Sequence, residues 1–167
     1  MLGEATGRRL GAIRQLRWDD ILWDTGVIRW RAEADKKRRE WVVPMPAALC
    51  GELRQFRRKL GAVGGWVFAA ELNPEAPMDR HLFDRWLAHA ERKAKLPKLA
   101  GGLWHPYRRK WATERKHLSI TDVAAAGGWQ DTATLLTCYQ QPTNDALLAV
   151  MSEERKVRDV AVLATRP

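Results

Sequence analysis

The sequence predicts a mainly α-helical domain with a small three-stranded antiparallel sheet, an α+β arrangement. Three observations lead there. Apolar residues recur at helical spacing through much of the chain, as in Leu49, Leu53, Phe56 and Leu60. That period breaks off between Ile21 and Met45, where three short β-rich runs are separated by turn residues. The 167 residues, 46% of them hydrophobic, suffice for one buried core and leave no room for a second full domain.

Each element follows from local chemistry. The opening TGRRLGAIRQLRW puts Leu10, Ile13 and Leu16 on one helical face, with Thr6 as the expected N-cap. In DDILWDTGVIRWRAE the runs Ile21–Trp23 and Val27–Arg31 are joined by the hairpin-like turn Asp24-Thr25-Gly26. After the basic segment Asp35–Arg39, the run Glu40–Met45 completes a meander. Helical spacing resumes from Pro46 and ends at Gly61–Gly65. Trp66–Phe68 is a short apolar run before a Pro-containing loop. Asp79 to Lys95 reads as an amphipathic helix burying Leu82 and Trp86, with Phe83 and Ala90 as further candidates.

After the Leu96–Gly102 loop, Pro106 suits the first turn of a helix running to about Lys116. Thr121 is the expected cap of a short helix through Ala126, which Gly127-Gly128 terminates. Asp131–Tyr139 reads as one more short helix. Asn144 is the expected cap of a final helix, about 144–158, containing Ala146, Leu147, Val150 and Met151.

Charge points to a partner. Twenty-nine Lys+Arg against 20 Asp+Glu give a net charge of +9 and a pI near 10.1. That balance favours a polyanion, nucleic acid foremost. Cys50 and Cys138 have neither metal-ligand spacing nor the density of a disulfide framework, so no metal is expected. No run approaches the roughly 18 apolar residues of a membrane span, and the N-terminus has no signal-peptide core. A cytoplasmic protein with no membrane partner is the expectation.

The candidate chemistry lies in Arg9, Lys36, His105, Arg108, Trp129 and Tyr139. Taken singly, each has an ordinary reading: solvated cations, a helix-cap histidine, a core tryptophan and a core tyrosine. Together they suit a phosphodiester. A tyrosine hydroxyl, with a pKa of about 10, is a poor nucleophile near neutral pH unless fixed cations hold the charge that develops. Arginine's planar fork donates two hydrogen bonds to phosphate oxygens and keeps its charge. A lysine can protonate a departing 5′ oxygen, a histidine can move the attacking proton, and an indole N–H adds a neutral donor. Such chemistry needs no cofactor.

The order of these residues resembles the catalytic domain of the tyrosine recombinases, the phage-integrase family, from about Thr6 to Gln141. TGRRLGAIRQLRWDDI is similar to the family's first box, whose catalytic arginine stands two residues after the Gly, here Arg9. DKKRREWVVPMP is similar to the hairpin segment ending in Val-Pro-hydrophobic, which selects Lys36 as the catalytic lysine, with Lys37 the alternative. WHPYRRKWAT matches the His-x-x-Arg box at His105 and Arg108. GGW corresponds to a Gly-His position where some members carry Trp, here Trp129, and CYQ supplies the nucleophile, Tyr139.

The resemblance implies strand cleavage and rejoining through a 3′-phosphotyrosyl link on double-stranded DNA, by a homo-oligomer assembled on that DNA. It implies a prokaryotic or phage-like, nucleoid-associated protein with no cofactor and no small-molecule substrate. Arg38, Arg39, Arg109, Lys110, Arg115 and Lys116 are the expected exposed contacts to the DNA backbone. Family members usually carry an N-terminal DNA-clamping domain and a further helix before the first box. Residues 1–167 are therefore expected to form a single catalytic domain without that clamp, its C-terminal helix available for exchange between protomers.

Three positions depart from the pattern. Ala12 stands where the first box commonly has an acid that supports the site. Tyr139 follows Trp129 by ten residues, where nine is more familiar. Tyr107 replaces a usual Leu. Two alternatives keep the fold and change the activity: a DNA-binding module without catalysis, and a type IB topoisomerase-like nicking and relaxing enzyme.

Overall fold

A computed structural model of the chain describes residues 2–35 and 37–153, so Lys36 and positions 154–158 of the expected final helix lie outside the described residues. Two short helices, α1 (Leu2–Thr6) and α2 (Leu10–Arg14), lead into a meander of β1 (Ile21–Leu22), β2 (Val27–Trp30) and β3 (Trp41–Pro44). Five further helices follow: α3 (Ala47–Leu60), α4 (Arg80–Lys93), α5 (His105–Glu114), α6 (Ile120–Gly127) and α7 (Thr132–Thr134). α7 runs into a wide π-helical turn at Leu135–Tyr139, and α8 (Asn144–Ser152) ends the described chain.

The sheet is antiparallel in the order β1-β2-β3, with Ile28 opposite both Ile21 and Val43, and Trp30 opposite Trp41. Alternation along β2 turns Ile28 and Trp30 inward, where both are buried. One core packs this sheet against α2 and α3 through Ile13, Leu16, Trp18, Leu49 and Leu53. A second lies among α5, α6 and the wide turn, built from Trp111, Ala112, Val123, Ala124, Trp129 and Leu135.

A buried carboxylate fixes the first corner of the sheet. Asp20 is 1% exposed; its Oδ1 accepts from Arg31 Nε at 2.6 Å and Arg29 Nη2 at 3.2 Å, and its Oδ2 accepts from the Arg17 amide at 3.0 Å. Two cations and an amide together make that burial tolerable.

Several expectations are corrected. Thr6 does not cap α2. It ends α1, donating its hydroxyl to the Leu2 carbonyl at 2.7 Å, and Arg9 occupies the N-cap position of α2. Ser119, not Thr121, caps α6 by accepting from the Asp122 amide, while the Thr121 hydroxyl bonds to that of Ser119 at 2.8 Å. Thr143, not Asn144, caps α8 by accepting from the Ala146 amide at 3.4 Å. α5 ends at Glu114, short of Lys116.

The buried face of α4 is also rotated from the one expected. Phe83 is buried, Leu82 is half-buried, Trp86 is 50% exposed and Ala90 is exposed. Phe83 is drawn in by Phe68 at 5.2 Å and Trp104 at 6.3 Å, the end of an aromatic chain that begins at Trp18 and passes through Phe56. Leu60, at the end of α3, lies beyond the core and is exposed. Among the described residues no helix is long and apolar enough to cross a membrane.

Candidate active site

The site is assembled where the α1–α2 loop, the start of α5, the end of α6 and the wide turn meet. Gly7 makes the first junction possible. Its φ of +61° is left-handed, and a Cβ there would collide with the Trp111 indole. With that indole flat against it, the Gly7 carbonyl accepts from Arg108 Nη1, which also donates to the Gly127 carbonyl at 2.7 Å. Arg108 is 4% exposed, and its guanidinium carbon lies 3.5 Å from the Trp129 ring centre. Burial and then the neighbouring Arg9 push its pKa down to about 9, which leaves it charged at neutral pH. Its Nε and Nη2 have no acceptor among the described residues.

Tyr139 closes the site from the other side. Asp131 caps α7 by accepting from the Ala133 and Thr134 amides, and the chain then widens so that the Gln140 amide reaches the Leu135 carbonyl, five residues back, at 2.8 Å. The Thr113 hydroxyl of α5 ties down the Tyr139 carbonyl at 3.0 Å. The phenol ring meets Trp129 edge-on at 4.9 Å, lies 6.3 Å from the His105 ring and 5.3 Å from the Arg108 guanidinium carbon. Trp129 in turn stacks on Trp111 at 6.0 Å.

His105 opens α5 and is exposed. Partial burial, then the positive Arg108 and Arg9, hold its pKa below the ordinary histidine value, which favours the neutral, proton-accepting imidazole. Arg9 is half-buried and donates to the Gly128 carbonyl at 3.5 Å. Ala12 is buried and brings no carboxylate to it. Arg9, His105 and Arg108 line a cavity of about 710 Å³ that extends past Arg14 to Arg80; Trp129 and Tyr139 are not part of its wall.

Five of the six candidate residues thus converge, and the sixth, Lys36, lies outside the described residues. The backbone-contact candidates divide. Arg38, Arg39 and Lys110 are exposed, although Arg39 leans on Trp41 at 4.4 Å and Lys110 lies 3.6 Å from Glu114. Arg109 is half-buried. Arg115 is half-buried rather than exposed: it donates to the Trp111 carbonyl at 3.1 Å and stacks over the Trp111 ring at 4.4 Å. Lys116 bonds the Thr143 hydroxyl at 2.9 Å. Sequence reasoning missed Trp111 and Arg8, and the doubled arginine of TGRR was the available signal for the latter. Among the described residues no group of three or more His, Cys, Asp or Glu is placed to hold a metal ion.

The sequence model of the phage integrase family matches residues 1–145. The chain belongs to that family. Among solved structures, this phage integrase family member is similar to XerA recombinase, at TM-score 0.72 and 19% identity, covering 92% of this chain and 55% of that one. It is similar to XerH site-specific recombinase bound to difH substrate, at TM-score 0.66 and 18% identity over 92% of this chain and 45% of that one. The Tn1549 transposon integrase in complex with circular intermediate DNA matches at TM-score 0.62 and 14% identity, over 90% and 55%. These likenesses establish the tyrosine-recombinase catalytic-domain fold. The chain spans about half the length of the structures it matches. No curated protein matches it in sequence.

Proposed function

We propose that this chain is the catalytic part of a site-specific DNA recombinase or integrase that cuts and rejoins strands by transesterification. The observation carrying this reading is the Tyr139 ring packed against Trp129, His105 and Arg108. The Tyr139 oxygen attacks the scissile phosphorus, forming a 3′-phosphotyrosyl bond as the bond to the 5′ oxygen breaks. His105 takes the phenol proton, and Lys36, or Lys37 in its place, protonates the departing 5′ oxygen. Arg9 and Arg108 hold the non-bridging oxygens, and the Trp129 N–H is a further donor. A 5′-hydroxyl from a second duplex reverses the step, so the phosphodiester energy is kept.

The unpartnered Nε and Nη2 of Arg108 fit this assignment. They are buried beside the aromatic rings, so the Tyr139 segment gives way when a phosphate enters. Arg38, Arg39 and Lys110 are the foremost backbone contacts, with Arg109, Arg115 and Lys116 supporting them from within the fold. The working species is a homo-oligomer on double-stranded DNA in a prokaryotic or phage-infected cytoplasm. Residues 1–167 act as one catalytic domain, with the segment around 144–158 exchanged between protomers. The exposed Leu148, Val150 and Met151 of α8 support that exchange.

A pool of nicked suicide duplexes tests the reading. A denaturant-stable protein–DNA adduct that disappears in Tyr139→Phe supports it. An adduct that persists in that variant shows that another nucleophile acts, and DNA binding without any adduct shows a binding module.

A further inference from the structure

Three carbonyls at the C-terminal end of α6 collect three arginines. The Ala125 carbonyl accepts from Arg8 Nη2 at 3.0 Å, Gly127 from Arg108 Nη1 at 2.7 Å, and Gly128 from Arg9 Nη1 at 3.5 Å. The last carbonyls of a helix lack intrahelical donors and carry the negative end of its dipole. Here they supply counter-charge to a cluster that forms no ion pair with a carboxylate among the described residues. Ala12, at the neighbouring turn of α2, contributes none.

Two of the three arginines belong to the site. The third, Arg8, is 5% exposed; it lines the same cavity, but its guanidinium is committed to the sheet and to the α6 turn. Its guanidinium carbon lies 5.2 Å from the Trp30 ring and 5.4 Å from the Trp41 ring, so it is seated on β2 and β3. On its other side it fills the space beside Gly128, where a Cβ would collide with it and where φ is +73°. Arg8 therefore joins the sheet to the very turn whose carbonyls hold Arg9 and Arg108.

We propose that Arg8 is a positioning residue for the site, acting through the C-terminal turn of α6. It fixes the Gly127 and Gly128 carbonyls where Arg108 and Arg9 bond to them. The functional half of this inference rests on the reading of Arg9 and Arg108 as the phosphate-binding pair. Burial pushes the Arg8 pKa down to about 10, so it remains a cation at neutral pH and keeps its interaction with the indole faces. Lysine carries the charge but lacks the planar fork that stacks and donates at once, so Arg8→Lys is an incomplete replacement.

Amide hydrogen exchange on the purified chain, with Arg8→Met and Arg8→Lys, tests the positioning directly. The amides to follow are those of Gly128 and Trp129, which bond the Ala125 and Ala124 carbonyls at 3.2 and 2.8 Å. In Arg8→Met they should exchange faster by at least about tenfold, the scale of one hydrogen bond to a charged donor, while amides in the middle of α3 keep their rates. Arg8→Lys should fall between. Unchanged rates at Gly128 and Trp129, or equal acceleration throughout α3, would overturn the proposal, because the first removes the link and the second is plain destabilisation.

On suicide duplexes, the same variants should keep DNA affinity within about twofold and lose about tenfold or more in single-turnover cleavage rate per folded molecule. A loss of affinity with unchanged cleavage would equally overturn it. If the unaltered chain forms no adduct at all, the recombinase reading fails while hydrogen exchange still decides whether Arg8 positions the turn.

Discussion

The Arg108 guanidinium lies face-on over the Trp129 indole, 3.5 Å from carbon to ring centre, and the same indole stacks on Trp111. The ring therefore has two duties, filling the second core and supporting a buried cation. Trp129→Ala should lose about 3–5 kcal/mol by denaturant unfolding, the scale of a large aromatic removed from a core. Trp129→Phe keeps a smaller π face and should lose about 1–2 kcal/mol. Equal losses would mean that the ring face contributes nothing to Arg108.

Tyr139→Phe removes one oxygen and leaves the edge-on contact with Trp129 in place. Its stability should stay within about 1 kcal/mol of the unaltered chain, since the ring contacts and the Thr113 bond to the Tyr139 carbonyl are kept. Covalent attachment to nicked duplexes should vanish while gel-shift affinity is retained.

Two left-handed glycines separate backbone strain from collision. Gly26, at φ +65°, has open space where a Cβ would stand, whereas at Gly7, at φ +61°, the Trp111 indole fills it. Gly26→Ala should cost about 1–2 kcal/mol, the ordinary left-handed penalty. Gly7→Ala should cost at least about 2 kcal/mol more, because Trp111 or the α1–α2 loop has to shift. Thermal melts of the two variants compare them directly.

His105 sets a pH dependence. Its folded pKa lies below the unfolded value near 6.5, so as pH falls through that value the unfolded chain takes up the proton first. Stability should therefore decline on acidification below about pH 6.5 and level off once the folded imidazole also titrates. His105→Gln should remove that component of the stability–pH profile. On the proposed reading of His105 as the base, the acid limb of single-turnover cleavage should fall below the ordinary histidine range.

Exposure decides which cations report on DNA. Arg38 is exposed in the β2–β3 connection, where its φ is 53°. Arg38→Ala should reduce the log–log salt slope of binding by about one. Arg115→Ala should instead lower the melting temperature, since that side chain is held on Trp111.

The meander was legible because β-branched and aromatic residues alternate across it, and each strand falls within about one residue of its expected bounds. The candidate residues could be picked out because each stands in a short segment with its own local chemistry. What could not be read was anything decided by partners distant in sequence. Trp86 and Phe83 are equally apolar, and only the contacts with Phe68 and Trp104 choose between them. Thr6, Thr121 and Asn144 are sound caps by type, but Ser119 and Thr143 accept the capping bonds of α6 and α8, and α2 begins at Arg9 with no side-chain cap. Arg8 beside Arg9 gave no sign of which would be buried, because Trp30 and Trp41 settle that.

The wide turn before Tyr139 also answers a question of counting. In an α-helix each residue advances the face by about 100°, so one extra residue swings everything after it to another side. A turn closed over five residues rather than four absorbs that residue without the swing. The ten-residue interval from Trp129 to Tyr139 therefore still ends with the phenol against the indole. Helix winding, more than loop length, sets the direction of the Tyr139 phenol.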